Sequence, residues 1–499
     1  MALSSKEIET LVKRRHPGFE AGVSHWDFLE SCYNGGREWF DDHIFRYIKE
    51  GDGEYKDRVK RAYRFNHTRE IVDLVNKYLF KAEVHRNYED APKVVQEFWM
   101  RATRAGQPIE QYMRQLSLKS STFGRIWVVV DNTKADGSLI SRRDEKKAGI
   151  RTYSYFVRPQ MVLDMSFDKE QNLNWILIEE SARDDADPFD SSGKLIRRFR
   201  LWTREYWLLF EEKGSGNRKT YHQIDGAEHG LGVVPVFNFD NIETDDLYSA
   251  PALIGDIAYL DRAVANYLSN LDAIIQDQSF SQLAMPAQGL LPGDDAYNKL
   301  LEMGTKRVFL FDGEGGSQPF YLSPDVKQAE LILQVVKQII NEIYHSVGMA
   351  GERTKQDNSV GIDNSSGVAK AYDFERVNSL LASKGDSLDR CEANLVRLVC
   401  LWNGEEEPED LVKYPDSFDV RRLVDEFDIS SRLALLEAPS AVRREQMRAL
   451  VDKLFPRLKD DLRKSIDGEL QTWPPKDPVD SLYGSAVNTD TGQDTGQPT

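Results

Sequence analysis

The first 122 or so residues carry apolar and polar positions with the spacing of amphipathic helices. In HTREIVDLVNKYLF the apolar side chains recur every three or four residues, from Ile71 to Leu79. Asn66 or Thr68 is a suitable N-cap, because either side chain can accept a hydrogen bond from a backbone N–H of the first turn. A further helix is predicted from about Pro108. This N-terminal part is therefore expected to be helical.

The hydrophobic pattern then changes to short β-branched and aromatic runs. RIWVVVDN, RTYSYFVRP, NWILIEES, KLIRRFRLW and EYWLLFEEK each have the length and composition of a strand. Turns rich in Asp, Gly and Ser separate several of them, including DDADPFDSSGK. GLGVVPVFNFDN closes the series, and its Pro235 is typical of a strand end or a sheet edge. We therefore predict a mainly antiparallel β region over residues 123–240.

Two long amphipathic helices enclose a small insertion in the following segment. The first is predicted over 250–283, with Ser249 as a cap and Pro251 in the first turn, where its missing N–H costs nothing. The second is predicted over 324–346. The insertion 284–323 is expected to contain a short helix near AYNKLLEM and, in RVFLFDGEGGSQPFYL, two strands around a glycine-rich turn. The two helices would form a long hairpin.

A polar segment interrupts the helical pattern directly afterwards. VGMAGERTKQDNSVGIDNSSG, residues 347–367, lacks a regular apolar spacing. Loops of this length inside a compact domain are uncommon and are usually functional or disordered. Helical patterns resume over 368–404 and continue in segments over 405–472. The tail 473–499 is poor in apolar residues and is expected to be disordered.

Composition and charge narrow the classes of protein. Of the 499 residues 40% are hydrophobic, which is typical of globular proteins. No apolar run reaches the ~18 residues that a membrane helix needs, and the N-terminus lacks the apolar core of a signal peptide, so no membrane partner is expected. Three cysteines are too few for a disulfide framework and favour a reducing cytoplasm. The net charge of −17 argues against a general nucleic-acid clamp. It either serves solubility or keeps a surface from adhering to DNA.

Motifs for catalysis, metals and cofactors are incomplete. GSGNRKT ends in Lys-Thr like a phosphate loop, but Arg218 replaces the glycine before the lysine, and the motif lies between strands. GEGGSQ lacks the third glycine of a dinucleotide fingerprint, and DDADPFD lacks the spacing of a calcium loop. The eight histidines show no zinc-binding spacing. We therefore predict no enzyme activity, no metal and no cofactor.

The order of these elements and several local motifs resemble the portal proteins of tailed double-stranded-DNA bacteriophages. HTREIVDLVNKYLF is similar to the N-terminal helix motif of that family, and GRIWVVVD, VRPQMVLD and GLGVVPVFNF are similar to motifs of its β region. LDRAVANYLSNLDAIIQDQSF resembles its first stem helix. QPFYLSPDVKQAELILQVVKQIINEIYHSVGM, followed by SSGVAKAYDF, resembles its second stem helix, tunnel loop and following helix. The resemblance covers roughly residues 60–400.

The resemblance implies an α+β portal fold and a ring of twelve copies at one capsid vertex, through which double-stranded DNA passes without sequence specificity. The implied parts are a wing (1–249 and 368–404), a stem (250–283 and 324–346), a clip (284–323), a tunnel loop (347–367) and a crown (405–472). The implied partners are further copies of the chain, the terminase large subunit, the major capsid protein, the scaffolding protein and a head-completion, adaptor or tail protein. The implied location is the virion, after assembly in the host bacterial cytoplasm.

The same resemblance assigns candidate residues to the channel and to a docking surface. Residues of the tunnel loop and its exit that would face DNA are Arg353, Lys355, Gln356, Asn358 and Lys370. Acidic positions of the first stem helix that would line the channel are Asp256, Asp261, Asp272 and Asp277. Clip positions that would dock the motor or adaptor are Asp294, Asp295, Lys299, Glu302, Lys306 and Arg307. The acidic side chains could instead face neighbouring subunits or solvent, and the loop could be a simple surface loop.

Other functions fit parts of the pattern. A cytosolic enzyme that uses carboxylates in a cleft of the β region would be a discrete monomer or dimer with a substrate. Another structural ring protein of a phage, such as an adaptor, would usually be much shorter. A motor ATPase of the same assembly is disfavoured because a phosphate loop is missing. The size of the native protein therefore discriminates between a ring and an enzyme.

Overall fold

The chain folds into two compact units, Met1–Ser417 and Phe418–Thr499. The computed structural model describes residues 3–48, 50–81, 83–133, 151–185, 187–214, 219–278, 282–286, 295, 308–311, 318–322, 326–349, 367–415, 418, 439–454 and 460–473. Helices and sheets both contribute to the first unit, whereas the described part of the second unit contains helices. The predicted α+β class is confirmed.

The N-terminal part of the first unit is helical, as its apolar spacing predicts. Its elements are α1 (Ser5–Val12), α2 (Pro17–Asn34), α3 (Glu38–His43), α4 (Asp52–Arg61), α5 (His67–Leu79), the two-residue strand β1 (His85–Arg86), α6 (Lys93–Met100) and α7 (Ile109–Phe123). Asn66 caps α5, because its Oδ1 accepts a hydrogen bond from Arg69 N at 2.9 Å. Thr68, the alternative cap, lies inside the helix. The apolar stripe of α5 is buried, which confirms the predicted amphipathic helix.

Two antiparallel sheets follow the helices. Their strands are β2 (Arg125–Asn132), β3 (Thr152–Val157), β4 (Val162–Phe167), β5 (Leu173–Arg183), β6 (Leu195–Thr203), β7 (Tyr206–Lys213), β8 (Thr220–Glu228) and β9 (Val236–Asp240). One sheet has the order β3-β2-β9, and the other is a meander in the order β4-β5-β6-β7-β8. Side chains of both sheets, including Trp127, Ile176 and Trp202, form a common core. The predicted antiparallel β region is confirmed.

The two edge strands of the meander are not evident from the sequence pattern. β8 is mostly exposed or half-buried, so its side chains lack the alternation of a half-buried strand. β4 is short and carries register shifts where it pairs with β5. β8 is therefore held mainly by its hydrogen bonds to β7, whereas β4 pairs with β5 and also buries Val162, Leu163 and Met165 in the core.

Helical structure returns after β9, as predicted. The elements are α8 (Ile257–Gln278), β10 (Gln282–Pro286), β11 (Val308–Phe311), β12 (Phe320–Leu322), α9 (Val326–Ser346), α10 (Gly367–Asn403) and β13 (Val412–Lys413). α9 and α10 lie close to the predicted bounds. β13 pairs with β1 and belongs to the first unit. Val412 and Lys413, inside the range 405–472 predicted for the crown, are therefore held as a strand, and the crown itself stays a prediction.

The described part of the insertion contains a sheet of three strands. β10 lies between β11 and β12 in the order β11-β10-β12. β11 is parallel to β10, and β12 is antiparallel to it. Both predicted strands are present, and they do not pair with each other, because β10 from earlier in the chain lies between them. The short helix predicted near AYNKLLEM lies outside the described residues.

The first long helix also begins later than predicted. α8 starts at Ile257 rather than near residue 250. Leu253 N donates to Ser121 O at 3.0 Å, and Pro251 O accepts from Asn241 Nδ2 at 3.1 Å. Because these backbone groups bond to other elements, they are not available to an earlier helical turn.

Gly124 allows the chain to approach α7 closely at this point. Its φ is +85°, and an added Cβ would lie 1.9 Å from the backbone oxygen of Ala250. Gly106 offers a matched comparison, since its φ is +84° but no atom lies within 4 Å of its added Cβ. Gly124 therefore allows both a positive φ and a close backbone contact, whereas Gly106 allows only a positive φ.

We expect Gly124→Ala to destabilise the protein more than Gly106→Ala. The left-handed conformation alone costs an alanine about 1–2 kcal/mol, which is the loss expected for Gly106→Ala. Gly124→Ala adds a backbone clash, and its total loss should be about 3 kcal/mol. Urea denaturation measures both free energies of unfolding. Equal losses would show that the contact with Ala250 does not matter.

The second unit contains a pair of helices, α11 (Ser440–Leu454) and α12 (Asp460–Thr472). The Arg444 guanidinium donates to Gln471 O at 3.1 Å, and Leu450 and Leu470 are buried. These helices confirm the helical segments predicted up to about residue 470. Most of the tail predicted to be disordered, from 474 onward, lies outside the described residues.

Candidate functional site

α8 and α9 pack against each other, and we call them the helix pair. Their apolar stripes supply the contact, with Val264 and Leu268 of α8 and Val336 and Ile343 of α9 all buried. α8 also packs against α2, α4 and α5. α8 therefore packs both against α9 and against the N-terminal helices.

Apolar side chains are exposed where the helix pair adjoins the insertion. Ile275 in the last turns of α8 is 49% exposed, and Leu331 and Leu333 near the start of α9 are 61% and 43% exposed. Isolated exposed apolar residues are ordinary. Leu331 and Leu333 are two residues apart on one helix, so they lie on different faces of it.

The four acidic positions predicted to line a channel have different environments. Asp256 is exposed just before α8, and Asp272 is half-buried with Oδ2 3.2 Å from Arg61 Nε. Asp277 lies in α8, but its side chain is outside the described residues. Asp261 is fully buried. The assignment of Asp261 to a channel lining is therefore wrong, because its own subunit encloses it.

Asp261 instead anchors α8 to the start of α5. Its Oδ2 accepts a hydrogen bond from Thr68 Oγ1 at 2.8 Å and lies 3.5 Å from the Arg64 guanidinium. Arg64 is itself buried and stacks over the Trp39 ring at 4.0 Å. A buried carboxylate requires such partners, since burial without them is costly.

The same turn of α5 holds the end of α9. Tyr344 Oη donates to Glu70 Oε2 at 2.6 Å and lies 3.2 Å from His67 Nδ1. α9 then ends in a turn in which Met349 N donates to Tyr344 O at 2.8 Å and Gly348 has φ +75°. Hydrogen bonds therefore hold the described chain as far as Met349, which lies inside the bounds 347–367 predicted for the tunnel loop.

Lys384 of α10 ties the helix after that loop to the entry of α8. Its Nζ donates to Ser121 Oγ at 2.8 Å and to Asn241 Oδ1, and the side chain is buried. Asn241 in turn donates to Pro251 O. No described carboxylate pairs with Lys384, and burial lowers its pKa to about 7. The Lys384 amine thus links α10 to two other elements, α7 and the segment that follows β9.

We expect Lys384 to make stability depend on pH between about 7 and 10.5. The pKa is about 7 in the folded chain against an ordinary 10.5, so the unfolded chain binds more protons in this window. The free energy of unfolding should therefore rise with pH, by about 1.4 kcal/mol per unit for this group. The cost of the buried charge is fully present below pH 7.

Lys384→Met should remove this component of the pH dependence. Urea denaturation of both proteins from pH 6 to pH 10 measures it as the difference between two profiles. The exposed Lys56 supplies a control, since Lys56→Met should leave the profile unchanged. Parallel profiles for Lys384→Met and the unsubstituted protein would refute a neutral buried amine.

Most residues assigned to the loop and the docking surface lie outside the described residues. This holds for Arg353, Lys355, Gln356, Asn358, Asp294, Lys299, Glu302, Lys306 and Arg307. Lys370 is in α10, with its side chain not described, and Asp295 is exposed at a helical position. Their roles stay predictions.

Sequence analysis missed Lys384 and the buried carboxylate Glu392, although one signal was available. Lys384 lies between Leu381 and Leu388 on the buried stripe of α10, where an apolar residue is expected. A lysine at such a position indicates a specific polar partner.

Among the described residues, no group of three or more His, Cys, Asp or Glu side chains could hold a metal ion. None of the helices searched in the described residues is long and apolar enough to span a membrane.

The sequence profile described as "Phage portal protein, SPP1 Gp6-like" matches residues 18–414. Together with the α+β fold, this match defines a phage portal protein, a class that is structural and not generally enzymatic. Within that class, the chain belongs to the SPP1 Gp6-like portal family. Its role is that of a portal or connector, and the resemblance found in the sequence is confirmed.

Two solved structures are similar to the chain at low identity. One is the neck of an empty GTA particle computed with C6 symmetry, at 13% identity and a TM-score of 0.38, with 75% of this chain and 90% of that chain covered. The other is the virion of a native gene transfer agent (GTA) particle, at 13% identity and a TM-score of 0.37, with the same coverage. No curated protein matches the chain.

Proposed function

We propose that twelve copies of this chain form a ring at one capsid vertex, through which double-stranded DNA is packaged and later ejected. The observation that carries the ring is the helix pair, which is anchored to α5 at one end and exposes Ile275, Leu331 and Leu333 at the other. Contacts between copies around a closed axis would bury these side chains in every subunit. The virion is the proposed location, after assembly in the host cytoplasm.

The proposed parts follow the fold. The first unit without the helix pair and the insertion would be the wing, the helix pair the stem, and the segment with the β11-β10-β12 sheet the clip. The crown would begin after residue 417, because β13 ties the preceding segment to the wing. The tunnel loop would lie between α9 and α10 and bring Arg353, Lys355, Gln356 and Asn358 close to DNA, with Lys370 at its exit.

Charge on the stem supports passage of DNA rather than retention. Asp256 is exposed, Asp272 is partly compensated by Arg61, and Asp277 lies one residue before the end of α8. If α8 faces the channel, these carboxylates repel phosphates and disfavour adhesion. The chain as a whole carries −17, in agreement with weak binding to DNA.

Docking is proposed for the clip. Asp294, Asp295, Lys299, Glu302, Lys306 and Arg307 would contact the terminase large subunit during packaging and a head-completion, adaptor or tail protein afterwards. The major capsid protein and the scaffolding protein would contact the ring at the vertex. Mixed charge at these positions suits partners that bind in succession, because rim charges set association rate more than affinity.

Native mass measurement tests the ring. The purified protein should form particles of about twelve times the 57.2 kDa chain. Leu331→Glu with Leu333→Glu should shift the population to monomers, because charges would replace apolar contacts between copies. Gln334→Glu, at an exposed position of the same helix, is the matched control and should still form rings. Two results would contradict the proposed ring. One is a protein that is monomeric at every concentration, and the other is a double variant that still forms rings.

A further inference from the structure

A cleft of about 710 Å³ opens in the β region of the first unit. Its walls come from α2, α7, β2, β3, β5 and β6. It lies apart from the helix pair. The volume is within the range of about 300–1,000 Å³ that small-molecule sites occupy. We propose that this cleft binds a nucleoside phosphate, a role beyond the portal function.

The carboxylates of the cleft are already engaged by the protein. Glu30 accepts two hydrogen bonds from Arg158, at 2.6 and 2.8 Å, and Glu180 accepts two from Arg200, at 2.6 and 3.3 Å. Glu179, which also lines the cleft, accepts two from Arg197, at 2.7 and 2.8 Å. Asp131 accepts from the Tyr153 hydroxyl at 3.0 Å and from a backbone N–H. These contacts offset the negative charge of the lining.

Two cations of the cleft are not engaged in this way. Within the described residues, neither Arg104 nor Lys119 has a carboxylate within 4.0 Å or donates a hydrogen bond. Burial lowers the pKa of Lys119, an effect that Glu30 opposes and Arg158 reinforces. A phosphate between the two side chains would favour the charged form of the Lys119 amine. It would also accept two hydrogen bonds from the planar Arg104 guanidinium.

Aromatic side chains provide the second half of the site. Tyr153 and Tyr155, two residues apart on one face of β3, line the cleft next to the apolar Met161 and Ile178. The Arg104 guanidinium lies 5.9 Å from the centre of the Tyr153 ring. Flat aromatic walls beside a cation suit a stacked base, which every nucleotide offers.

The hydroxyl of Tyr155 is an unused polar group at the same place. It is buried and has no hydrogen-bond partner in the described part of the chain. Burial raises its pKa well above the ordinary value, so it is a neutral donor. A buried hydroxyl without a partner is unfavourable, and a ligand oxygen or ring nitrogen would satisfy it. Inorganic phosphate alone would leave this hydroxyl and the aromatic wall unused.

Isothermal titration of the full-length protein tests the proposal. The probes are adenosine 5′-monophosphate, adenosine and inorganic phosphate at the same ionic strength. The nucleotide should bind at least about tenfold more tightly than either of its parts, since only it reaches both the cations and the aromatic wall. Saturable binding at one site per chain is the expected stoichiometry.

Variants assign the binding to the cleft. Arg104→Glu with Lys119→Glu should weaken nucleotide binding at least about tenfold, and Tyr155→Phe should weaken it about threefold without a change of charge. Lys56→Glu, at an exposed position of α4, is the control and should bind normally. Thermal melting and native mass show whether each variant still folds and assembles.

Three results would overturn the proposal. They are no saturable nucleotide binding, equal affinity for nucleotide and inorganic phosphate, and unchanged affinity in a folded Arg104→Glu, Lys119→Glu variant. None of them bears on the ring, because native mass is measured separately from titration. The portal function and the nucleotide site can therefore fail independently.

Discussion

Deletion of residues 352–364 should abolish DNA packaging while rings still assemble. The helix pair is proposed to carry the contacts between copies, and Asp261 and Tyr344 anchor it to α5. Lys384 anchors the segment after β9. The deletion removes none of these three residues. The deletion removes Arg353 and Lys355, which are proposed to reach the DNA. A few weak, salt-dependent phosphate contacts per copy would add up around a ring. Packaged DNA in assembled particles and native mass of the purified variant provide the two measurements.

A milder variant separates charge from loop length. Arg353→Gln with Lys355→Gln keeps the loop intact and removes two phosphate contacts per copy, so packaging should be reduced and more sensitive to salt. Exchange of the exposed Lys337 of α9 for Gln removes a charge elsewhere and should have no effect on packaging. Normal packaging after the deletion would show that the loop is only a surface loop. Loss of rings would instead show that it supports assembly.

Glu392→Leu should lower the free energy of unfolding by about 3–5 kcal/mol, because it leaves a buried arginine without its partner. Arg86 Nε and Nη2 lie 2.7 and 3.0 Å from the two carboxylate oxygens of Glu392, and both side chains are buried. The Tyr414 hydroxyl donates to the same carboxylate at 2.7 Å. These contacts join β1, α10 and the segment after β13. Urea denaturation measures the loss.

The double variant Arg86→Met, Glu392→Leu should recover much of this loss. Replacing a buried ion pair by apolar side chains is often neutral, since both desolvation costs disappear. Glu9→Gln breaks an exposed pair with Lys13 and is the matched control, with an expected loss below about 1 kcal/mol. A double variant as unstable as Glu392→Leu would show that the carboxylate matters for Tyr414 rather than for Arg86.

The sequence alone determined the elements whose signals are local. The helical period of α5, the β-branched run of β2, and the bounds of α9 and α10 depend on neighbours within a few residues. The order of these elements was also sufficient for the family. The spacing of apolar residues that predicts a helix or a strand can be read directly from the sequence, because it involves only residues close together in the chain.

Tertiary structure decided what depends on residues far apart in the chain. The place of β10 between β11 and β12 and the delayed start of α8 follow from pairing partners that no local pattern reveals. Asp261 has the polar spacing of a surface residue, yet Thr68 and Arg64 enclose it. Whether a polar side chain faces solvent or a partner depends on what packs over it, so the cleft around Lys119 and the hydrogen-bond partners of Lys384 emerged only from the folded chain.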